Sequence, residues 1–448
     1  MDHNVQTAPE LTKVSKENYL SPEFLKLENK HLWPRVWQVA CRTDEIPNAG
    51  DYIVYDVADE TIVVVRREDG SISAFHNVCP HRGRQIMEGC GHAVNFRCRY
   101  HNWTFALNGK NINVQDKEDW SGALAQTRTD LLAVKSGTWG GFVFINMDPN
   151  SETLEEFLNP VPEYLDPFEL ETMSLRWALE LHLDCNWKTG LEAFMEGYHV
   201  AATHAQLLPT QGEDYTTSFA RGKHSHFGYW GATTMTGLPS PRLKQEAPKD
   251  VRAGVIEFFR QMEETFAAIF TDRDYEAAKA LMGVLPETAD AATAFGTAVE
   301  LGRKAAEAEG TYYPPKLTYD AFAKAGTDWH IFPNCVTLPY FDGAVWYRAR
   351  PHVTDPNKCI FNIWSLKRYA PGKAPKVTTQ VVNDVTGKSF GLIVDQDVQN
   401  MSMVQKGMRS SAFRNAHPNP VQEVELINFH RYLEEYVLGA PRSAQNGG

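Results

Sequence analysis

Two mixed cysteine–histidine pairs restrict the fold of this chain more than any other feature. Cys79-x-His81 is followed, after a short segment, by Cys98-x-x-His101. The surrounding sequence alternates β-branched runs with turn residues, a pattern typical of short strands. Two thiolates and two imidazoles on two tight turns suit a [2Fe–2S] cluster with one cysteine-bound iron and one histidine-bound iron. The pattern therefore predicts a small all-β domain built around such a cluster.

Two other metal sites compete with this cluster. Zinc sites made of cysteine and histidine usually keep the two cysteines together, whereas each pair here is mixed. A second alternative replaces the first pair with Cys90-x-His92. That choice leaves only five residues before Cys98, a cramped length for a loop, a returning strand and a second loop. The sequence therefore favours the cluster on the two mixed pairs.

Length and composition restrict the location and the partners. A chain of 448 residues is too long for one ordinary core, so two domains are expected. The net charge of -12 argues against nucleic acid as a partner. No apolar run approaches the roughly 18 residues of a membrane span, and residues 1–12 lack a signal-peptide core. We therefore expect a cytoplasmic protein without a membrane partner.

The remaining cysteines are scattered along the chain, which does not suggest a disulfide framework. We expect four of them to be buried apolar residues: Cys41, Cys185, Cys335 and Cys359. The sequence contains no G-x-G-x-x-G or Walker loop, so no site for a nicotinamide cofactor or a nucleotide is visible.

Three segments follow from the hydrophobic patterns. Residues 1–35 are predicted to be an N-terminal helical segment that packs on the second domain, and a short helical stretch is predicted over 13–40. Residues 36–155 are predicted to be the all-β domain. Residues 156–448 are predicted to be a larger α+β domain with a helical excursion at about 245–315. Its expected helical segments are 184–204, 396–414 and 420–438, and two or more helices are expected within 250–309. Its expected strands are 329–336, 344–350 and 359–368, and its expected disordered tail is 443–448.

A second group of candidate ligands lies in the larger domain. His199 and His204 are five residues apart, so both can face one point if the helix loosens after His199. Ordinary packing is the usual explanation of such a spacing, but the cluster motif upstream reverses that preference. Two imidazoles and one carboxylate form the facial triad of Fe(II) oxygenases, which leaves positions open for O₂ and substrate.

Both groups resemble motifs of a known family. The first pairs resemble the Rieske signature, and Arg84 and Tyr100 stand where electron-carrier Rieske proteins usually have two further cysteines. Asn-Trp-Lys at 186–188, an acid before Tyr-His, and a second histidine resemble the catalytic motif of ring-hydroxylating oxygenase α subunits. Phe-Pro-Asn at 332–334 is also similar to that family. The resemblance extends over nearly the whole chain in domain order.

The resemblance implies the fold and the ligands. The expected fold class is α+β, with an all-β Rieske domain and a helix-grip (START/Bet v 1-like) catalytic domain whose curved antiparallel sheet wraps a long helix. The implied third iron ligand is Asp397, because Gln-x-Gly follows it after eight residues; Asp395 is the alternative. The implied ligands are Cys79, His81, Cys98 and His101 for the [2Fe–2S] cluster and His199, His204 and Asp397 for Fe(II).

The resemblance also implies the activity. The protein is expected to be the terminal oxygenase of a Rieske system, using O₂ and electrons from a separate NAD(P)H-dependent reductase, with or without a ferredoxin. Its expected substrate is hydrophobic or aromatic, as in aromatic hydrocarbon catabolism, because Ala193 stands where the family often has Asn. An O- or N-demethylating monooxygenase is the alternative within the family. A Rieske electron carrier is an alternative of another class, and it leaves residues 156–448 without a role.

Glu196 precedes His199 by three residues, which places it on the same face of a helix. The resemblance implies that this acid connects the mononuclear site to His101 of a neighbouring subunit. A head-to-tail contact of this kind closes into a ring. A homotrimer is therefore expected, and a β subunit is left open. The family commonly has Asp at this position, and a glutamate that merely caps the helix is the alternative.

Overall fold

The computed structural model describes residues 13–439. Leu27–Phe157 form one compact unit, called the small unit below. The described residues up to Lys26 and from Leu158 onwards form the other, called the large unit. The predicted disorder of residues 443–448 lies outside the described part of the chain. Within that part, no helix has the length and apolar character needed to cross a membrane.

The strands are β1 Val14–Ser15, β2 Gln38–Arg42, β3 Asp51–Val57, β4 Glu60–Arg66, β5 Ile72–His76, β6 Cys90–His92, β7 Phe96–Arg97, β8 Thr104–Phe105, β9 Asn111–Asn113, β10 Ala133–Trp139, β11 Phe142–Asn146, β12 Ser174–Leu183, β13 Thr217–Arg221, β14 His224–Gly228, β15 Asp328–Ile331, β16 Cys335–Pro339, β17 Gly343–Pro351, β18 Cys359–Lys367, β19 Gln380–Val382 and β20 Asn415–Ala416.

The α-helices are α1 Glu17–Leu20, α2 Pro22–His31, α3 Leu154–Leu158, α4 Val161–Leu165, α5 Trp187–Glu192, α6 Val200–Thr203, α7 Val251–Thr265, α8 Asp272–Lys279, α9 Leu281–Val284, α10 Ala291–Ala308, α11 Tyr319–Ala325, α12 Leu392–Met408 and α13 Val424–Leu438.

The small unit is built from two antiparallel sheets. One has the strand order β2-β11-β10-β5-β4-β3-β6 and the other has the order β7-β8-β9. The β-branched run of β4 pairs with β5 across the turn at 67–71, where Gly70 has a positive φ. Cys79 and Cys98 are buried in one core with aromatic and aliphatic side chains of this unit, including Val63, Val65, Phe75, Phe96, Trp103 and Phe105.

The large unit contains an eight-stranded sheet of order β13-β14-β15-β16-β17-β18-β12-β19. Neighbouring strands are antiparallel except β12 and β19. The register of β12 against β18 shifts between Leu175 and Trp177, and such a bulge bends a strand. Helix α5 lies against this sheet, since a Cβ built at Gly190 would stand 3.6 Å from Sγ of Cys359. The predicted α+β fold class is confirmed.

Several predicted elements are wrong in detail. The helical stretch 13–40 ends in strand β2, and the strand 329–336 is a hairpin of β15 and β16. The helix 184–204 is two short helices, α5 and α6, with a non-helical segment between them. Gly197 lies in that segment, where a Cβ would stand only 2.7 Å from Thr216. Tertiary packing therefore overrides the helical spacing here.

Candidate iron centres and substrate cavity

The two loops that carry the candidate cluster ligands have the same backbone hydrogen bonds. In the first loop, the N–H of Cys79 donates to the carbonyl of Arg84 over 2.9 Å, and Gly83 N–H donates to Cys79 O over 3.0 Å. In the second loop, Cys98 N–H donates to Trp103 O over 2.9 Å, and the N–H four residues after Cys98 donates back to its carbonyl over 3.0 Å.

A left-handed residue closes each of these loops. Gly83 has a φ of 75° and Asn102 has a φ of 58°. Glycine adopts this conformation without steric cost, and asparagine tolerates it better than most other residues. The side chain of Arg97 donates to that of Asn102 and holds the second loop. Each turn is therefore closed by backbone hydrogen bonds and a left-handed residue.

The four candidate cluster ligands converge between these loops. The Cys79 and Cys98 side chains are each 2% exposed. The rings of His81 and His101 lie 4.5 Å apart, and each Nδ1 atom is buried without a hydrogen-bond partner. Burial raises the pKa of the Cys79 thiol to about 11, with a contribution from its Cys98 neighbour. Two buried thiols beside two unpartnered imidazole nitrogens fit a [2Fe–2S] cluster, which accepts these four ligands.

The alternative pair lies elsewhere in the small unit. Cys90 and His92 are exposed on strand β6. The Nδ1 atom of His92 lies 3.1 Å from Oδ1 of Asp51. Neither side chain joins the buried cysteines, so this alternative is excluded by the fold. Cys41, Cys185, Cys335 and Cys359 are buried, as predicted.

The candidate mononuclear site joins two distant parts of the large unit. His199 and His204 flank the four-residue helix α6, and their ring centroids are 5.2 Å apart. Asp397, on α12, places Oδ1 3.1 Å from Nε2 of His204 and 3.7 Å from Nε2 of His199. One ligand atom from each side chain lies within 4.8 Å of the others. Two imidazoles and a carboxylate at this separation fit a mononuclear Fe(II).

The far side of each imidazole ring is held by an acceptor. Nδ1 of His199 lies 2.7 Å from Oε1 of Glu196, and Nδ1 of His204 lies 2.8 Å from Oε1 of Gln396. An acceptor at Nδ1 favours a proton on that nitrogen and makes Nε2, which faces Asp397, the nitrogen that would bind a metal. Sequence reasoning missed Gln396, although it stands directly before Asp397.

The sequence predicted that Glu196 and His199 share one helix. In the structure they do not, because the segment between α5 and α6 is irregular. Its Oε2 accepts the backbone N–H of His199 over 2.9 Å. Glu196 therefore has the capping role of the alternative interpretation and also contacts the imidazole ring. Burial opposes protonation of His199, but the carboxylates of Glu196 and Asp397 outweigh it and raise the pKa of the imidazole.

Helix α12 is anchored to α5 by a buried amide, which positions Asp397. Oε1 of Gln405 accepts the N–H of Asn186 and the hydroxyl of Thr189, each over 3.0 Å. The other sequence candidate, Asp395, accepts the N–H of Phe390 over 2.7 Å and lies outside the cluster of ligand atoms. The structure therefore brings Asp397, and not Asp395, to the two histidines.

A cavity of about 380 Å³ opens onto the three candidate iron ligands. Ala193 lines it, and so does Phe194, whose ring stacks on Tyr347 at 3.9 Å. Most of the other lining side chains are apolar or aromatic: Val200, Leu207, Phe227, Tyr229, Trp230, Met235, Phe258, Met262, Phe266, Ile269, Phe270, Phe295, Phe322, Leu338, Tyr340 and Ile393. Its size lies in the range of small-molecule sites. Helices α7, α10 and α11 also contribute to the wall of this cavity, which no local pattern in the sequence indicates.

The fold and the two groups of candidate ligands are those of a protein that joins a Rieske cluster to a mononuclear non-haem iron. The family model described as the ring-hydroxylating alpha subunit (catalytic domain) matches residues 170–439, and the Rieske [2Fe-2S] domain model matches residues 36–127. The chain therefore belongs to the ring-hydroxylating oxygenase α-subunit family. The predicted family and the predicted cofactors, a [2Fe–2S] cluster and non-haem iron, are confirmed.

Similar proteins include oxygenases of different substrates. The carnitine monooxygenase oxygenase subunit of Escherichia coli (strain K12) is 30% identical over 226 residues, which are 50% of this chain and 58% of that protein. The chain thus spans little more than half the length of this curated relative.

Two solved structures share the fold. A quaternary ammonium Rieske monooxygenase has a TM-score of 0.64 at 16% identity, with 95% of both chains covered. Naphthalene 1,2-dioxygenase from Rhodococcus sp., bound to indole, has a TM-score of 0.62 at 19% identity, with 95% of this chain and 94% of that chain covered. At these identities the likeness concerns the fold alone.

Proposed function

We propose that this protein is the terminal oxygenase of a Rieske system, which uses O₂ to hydroxylate a hydrophobic substrate. The observation that carries the proposal is the position of His199, His204 and Asp397 in the wall of a largely apolar cavity. A substrate held in that cavity is next to the site at which O₂ would react. An electron carrier has no use for such a cavity, and a simple ligand carrier has no use for the three ligands.

The chain's own residues divide the work between holding metal and holding substrate. Cys79, His81, Cys98 and His101 hold the cluster, and the triad holds the ferrous ion. The bound cluster supplies single electrons and the bound iron supplies reactivity towards O₂. Glu196 and Gln396 keep the two imidazole rings in the orientation that exposes Nε2. The aromatic wall excludes water and limits the loss of reducing equivalents to side reactions.

The electrons come from a separate NAD(P)H-dependent reductase, with or without a ferredoxin. The chain forms a cyclic homotrimer in which Glu196 links His199 to His101 of the next subunit, and a β subunit remains compatible with this arrangement. The protein works in the cytoplasm. An odd and scattered set of seven cysteines, unlike a disulfide framework, supports a reducing compartment.

The cavity favours an aromatic or other hydrophobic substrate, because rings line most of its surface. A second candidate is an N-demethylating monooxygenase, and the carnitine monooxygenase relative favours it. Hydroxylation of an N-methyl carbon consumes O₂, two electrons and two protons and releases water. The carbinolamine then splits into formaldehyde and the demethylated amine.

The test uses the purified chain with a surrogate reductase and isotopically labelled O₂. We expect iron for one cluster and one mononuclear centre per chain, a Rieske absorption spectrum, and one or two labelled oxygen atoms in a hydrophobic product. Formaldehyde release without a ring-hydroxylated product would select the second candidate. A fully iron-loaded enzyme that incorporates no labelled oxygen into any member of a broad substrate panel would contradict the proposal.

A further inference from the structure

In the described part of the chain, the cavity is lined by acidic side chains and not by basic ones other than the two histidines of the iron site. Among the described residues that line it, the acids are Glu196, Glu213 and Asp397, and neither lysine nor arginine occurs. Glu196 contacts His199, and Asp397 faces both histidines, so these two carboxylates belong to the iron site. Glu213 has no contact of this kind. It therefore supplies negative charge to a part of the cavity that the proposed chemistry at the iron does not use.

The contacts of Glu213 leave its charge unneutralised. Its Oε2 accepts the N–H and the hydroxyl of Thr233, each over 3.3 Å, and its Oε1 accepts the N–H of Tyr215 over 3.3 Å. These donors are neutral. By contrast, the neighbouring Asp214 forms an ion pair with Arg242. Within residues 13–439, no ion pair is formed by Glu213.

Aromatic rings lie on the same segment that holds Glu213. Tyr229 and Trp230 precede Thr233 and line the cavity. The indole N–H of Trp230 donates to the carbonyl of Ala323 over 3.0 Å, and its ring packs on Phe219 at 5.2 Å between centroids. The indole is therefore fixed in place. Burial raises the pKa of Tyr229, and the charge of Glu213 contributes, which places the phenol within the field of that carboxylate.

We propose that Glu213, Tyr229 and Trp230 form a subsite for a positively charged nitrogen, and that the substrate is an aromatic or alkyl ammonium compound without a carboxylate. Aromatic faces and an unpaired carboxylate both attract a cation, most strongly where water is excluded. Away from the iron site, a substrate carboxylate would find no lysine or arginine among the described lining residues, and burying it unpaired is costly. This inference rests on the proposed function and specifies its substrate class.

Binding to the resting enzyme tests the subsite without turnover. The probes are benzyltrimethylammonium, its uncharged isostere neopentylbenzene, and 4-carboxybenzyltrimethylammonium, each titrated by calorimetry into the full-length protein. We expect the ammonium compound to bind about tenfold or more tightly than the isostere. The carboxylated probe should bind more weakly than benzyltrimethylammonium. Equal affinities for the first two probes, tighter binding of the carboxylated probe, or no binding of benzyltrimethylammonium would overturn the proposal.

Two variants and a control assign the effect to the subsite. Glu213→Gln and Trp230→Leu should each weaken benzyltrimethylammonium binding about tenfold and change neopentylbenzene binding little. Glu246→Gln removes an exposed acid outside the cavity lining and should leave both affinities unchanged. An equal loss for both probes in the two variants would show general damage to the cavity and contradict the cation subsite.

The cation subsite and the proposed oxygenase function can fail independently of each other. If benzyltrimethylammonium binds as expected but the iron-loaded enzyme incorporates no labelled oxygen into any compound, the subsite stands and the oxygenase assignment fails. If only neutral hydrocarbons bind and are hydroxylated, the oxygenase stands and the cation subsite fails.

Discussion

Oε1 of Glu196 lies 2.7 Å from Nδ1 of His199, while the other ring nitrogen of His199 faces Asp397 at 3.7 Å. The imidazole is therefore held between two carboxylates, one on the proposed metal side and one on the outer side. An acceptor on the outer nitrogen fixes the tautomer and makes the metal-facing nitrogen a better ligand. The same carboxylate also caps the backbone N–H of His199, so the ring and the backbone are positioned together.

The variant Glu196→Gln tests the proposed link to the neighbouring subunit. It keeps an acceptor for the imidazole but removes the charge, so we expect both metal centres to assemble. Stopped-flow oxidation of the reduced cluster, with substrate and O₂ present, should slow about 10- to 100-fold. An unchanged rate in the variant, or full activity of a monomer in analytical ultracentrifugation, would contradict the link.

Removal of the carboxylate that faces the histidines should remove the mononuclear iron. Asp397→Ala leaves only two ligands, so we expect loss of that iron and of turnover, with the Rieske spectrum retained. Asp395→Ala is the matched control on the same helix, because Asp395 binds the loop at Ser389 and Phe390 instead. Iron analysis checks both variants, and iron retained by Asp397→Ala would refute the assignment.

Gln396 should matter for iron affinity although it is not a candidate ligand. Gln396→Ala removes the acceptor for Nδ1 of His204, so we expect the iron affinity to fall about 10- to 100-fold. Gln206→Ala is the control, because Gln206 contacts Gln396 and not His204. The affinities are measured by competition with a chelator. Equal losses in the two variants would mean that the whole local network, rather than the ring contact, holds the iron.

The two buried cysteines should be required for the cluster and the exposed one should not. Cys98→Ser replaces a thiolate ligand, so we expect the visible and electron paramagnetic resonance signals of the Rieske centre to be lost or shifted. Cys90→Ser changes the exposed cysteine on β6 and should keep the wild-type spectrum. A wild-type spectrum in Cys98→Ser would refute the ligand set.

His226 should make the large unit sensitive to acid. Burial lowers the pKa of this imidazole to about 4, with a contribution from Arg221. The unfolded chain binds a proton near pH 6.5 and the folded chain does not until about pH 4, so stability falls as the pH falls through this interval. Between pH 7 and pH 5 the loss from this residue is about 2 kcal/mol. In urea unfolding, the free energy of unfolding of His226→Phe should fall correspondingly less between pH 7 and pH 5. The same pH dependence in the variant and the wild type would contradict the lowered pKa of His226.

Local patterns were sufficient for the cluster domain. The four candidate cluster ligands lie on two loops between short strands, and Gly83 marks one turn that needs a left-handed residue. Strand formation, tight turns and ligand spacing all act over a few residues, so the sequence alone determined this part of the protein. The same holds for β17 and β18, whose β-branched and aromatic runs end within a residue or two of the predicted bounds.

Contacts between distant segments were decided by the tertiary structure. His204 and Gln396 are 192 residues apart, and their contact depends on how α12 packs against α5 through Gln405. The family resemblance favoured Asp397 over Asp395, and the side-chain directions on the folded helix bring Asp397 alone to the two histidines. Periodicity also predicted a continuous helix over 184–204, but the folded chain has two short helices there, with Gly197 packed closely against Thr216 between them. Local conformation depends on interactions between residues that are close in sequence. The approach of side chains from distant segments depends on the free energy of the whole packed core.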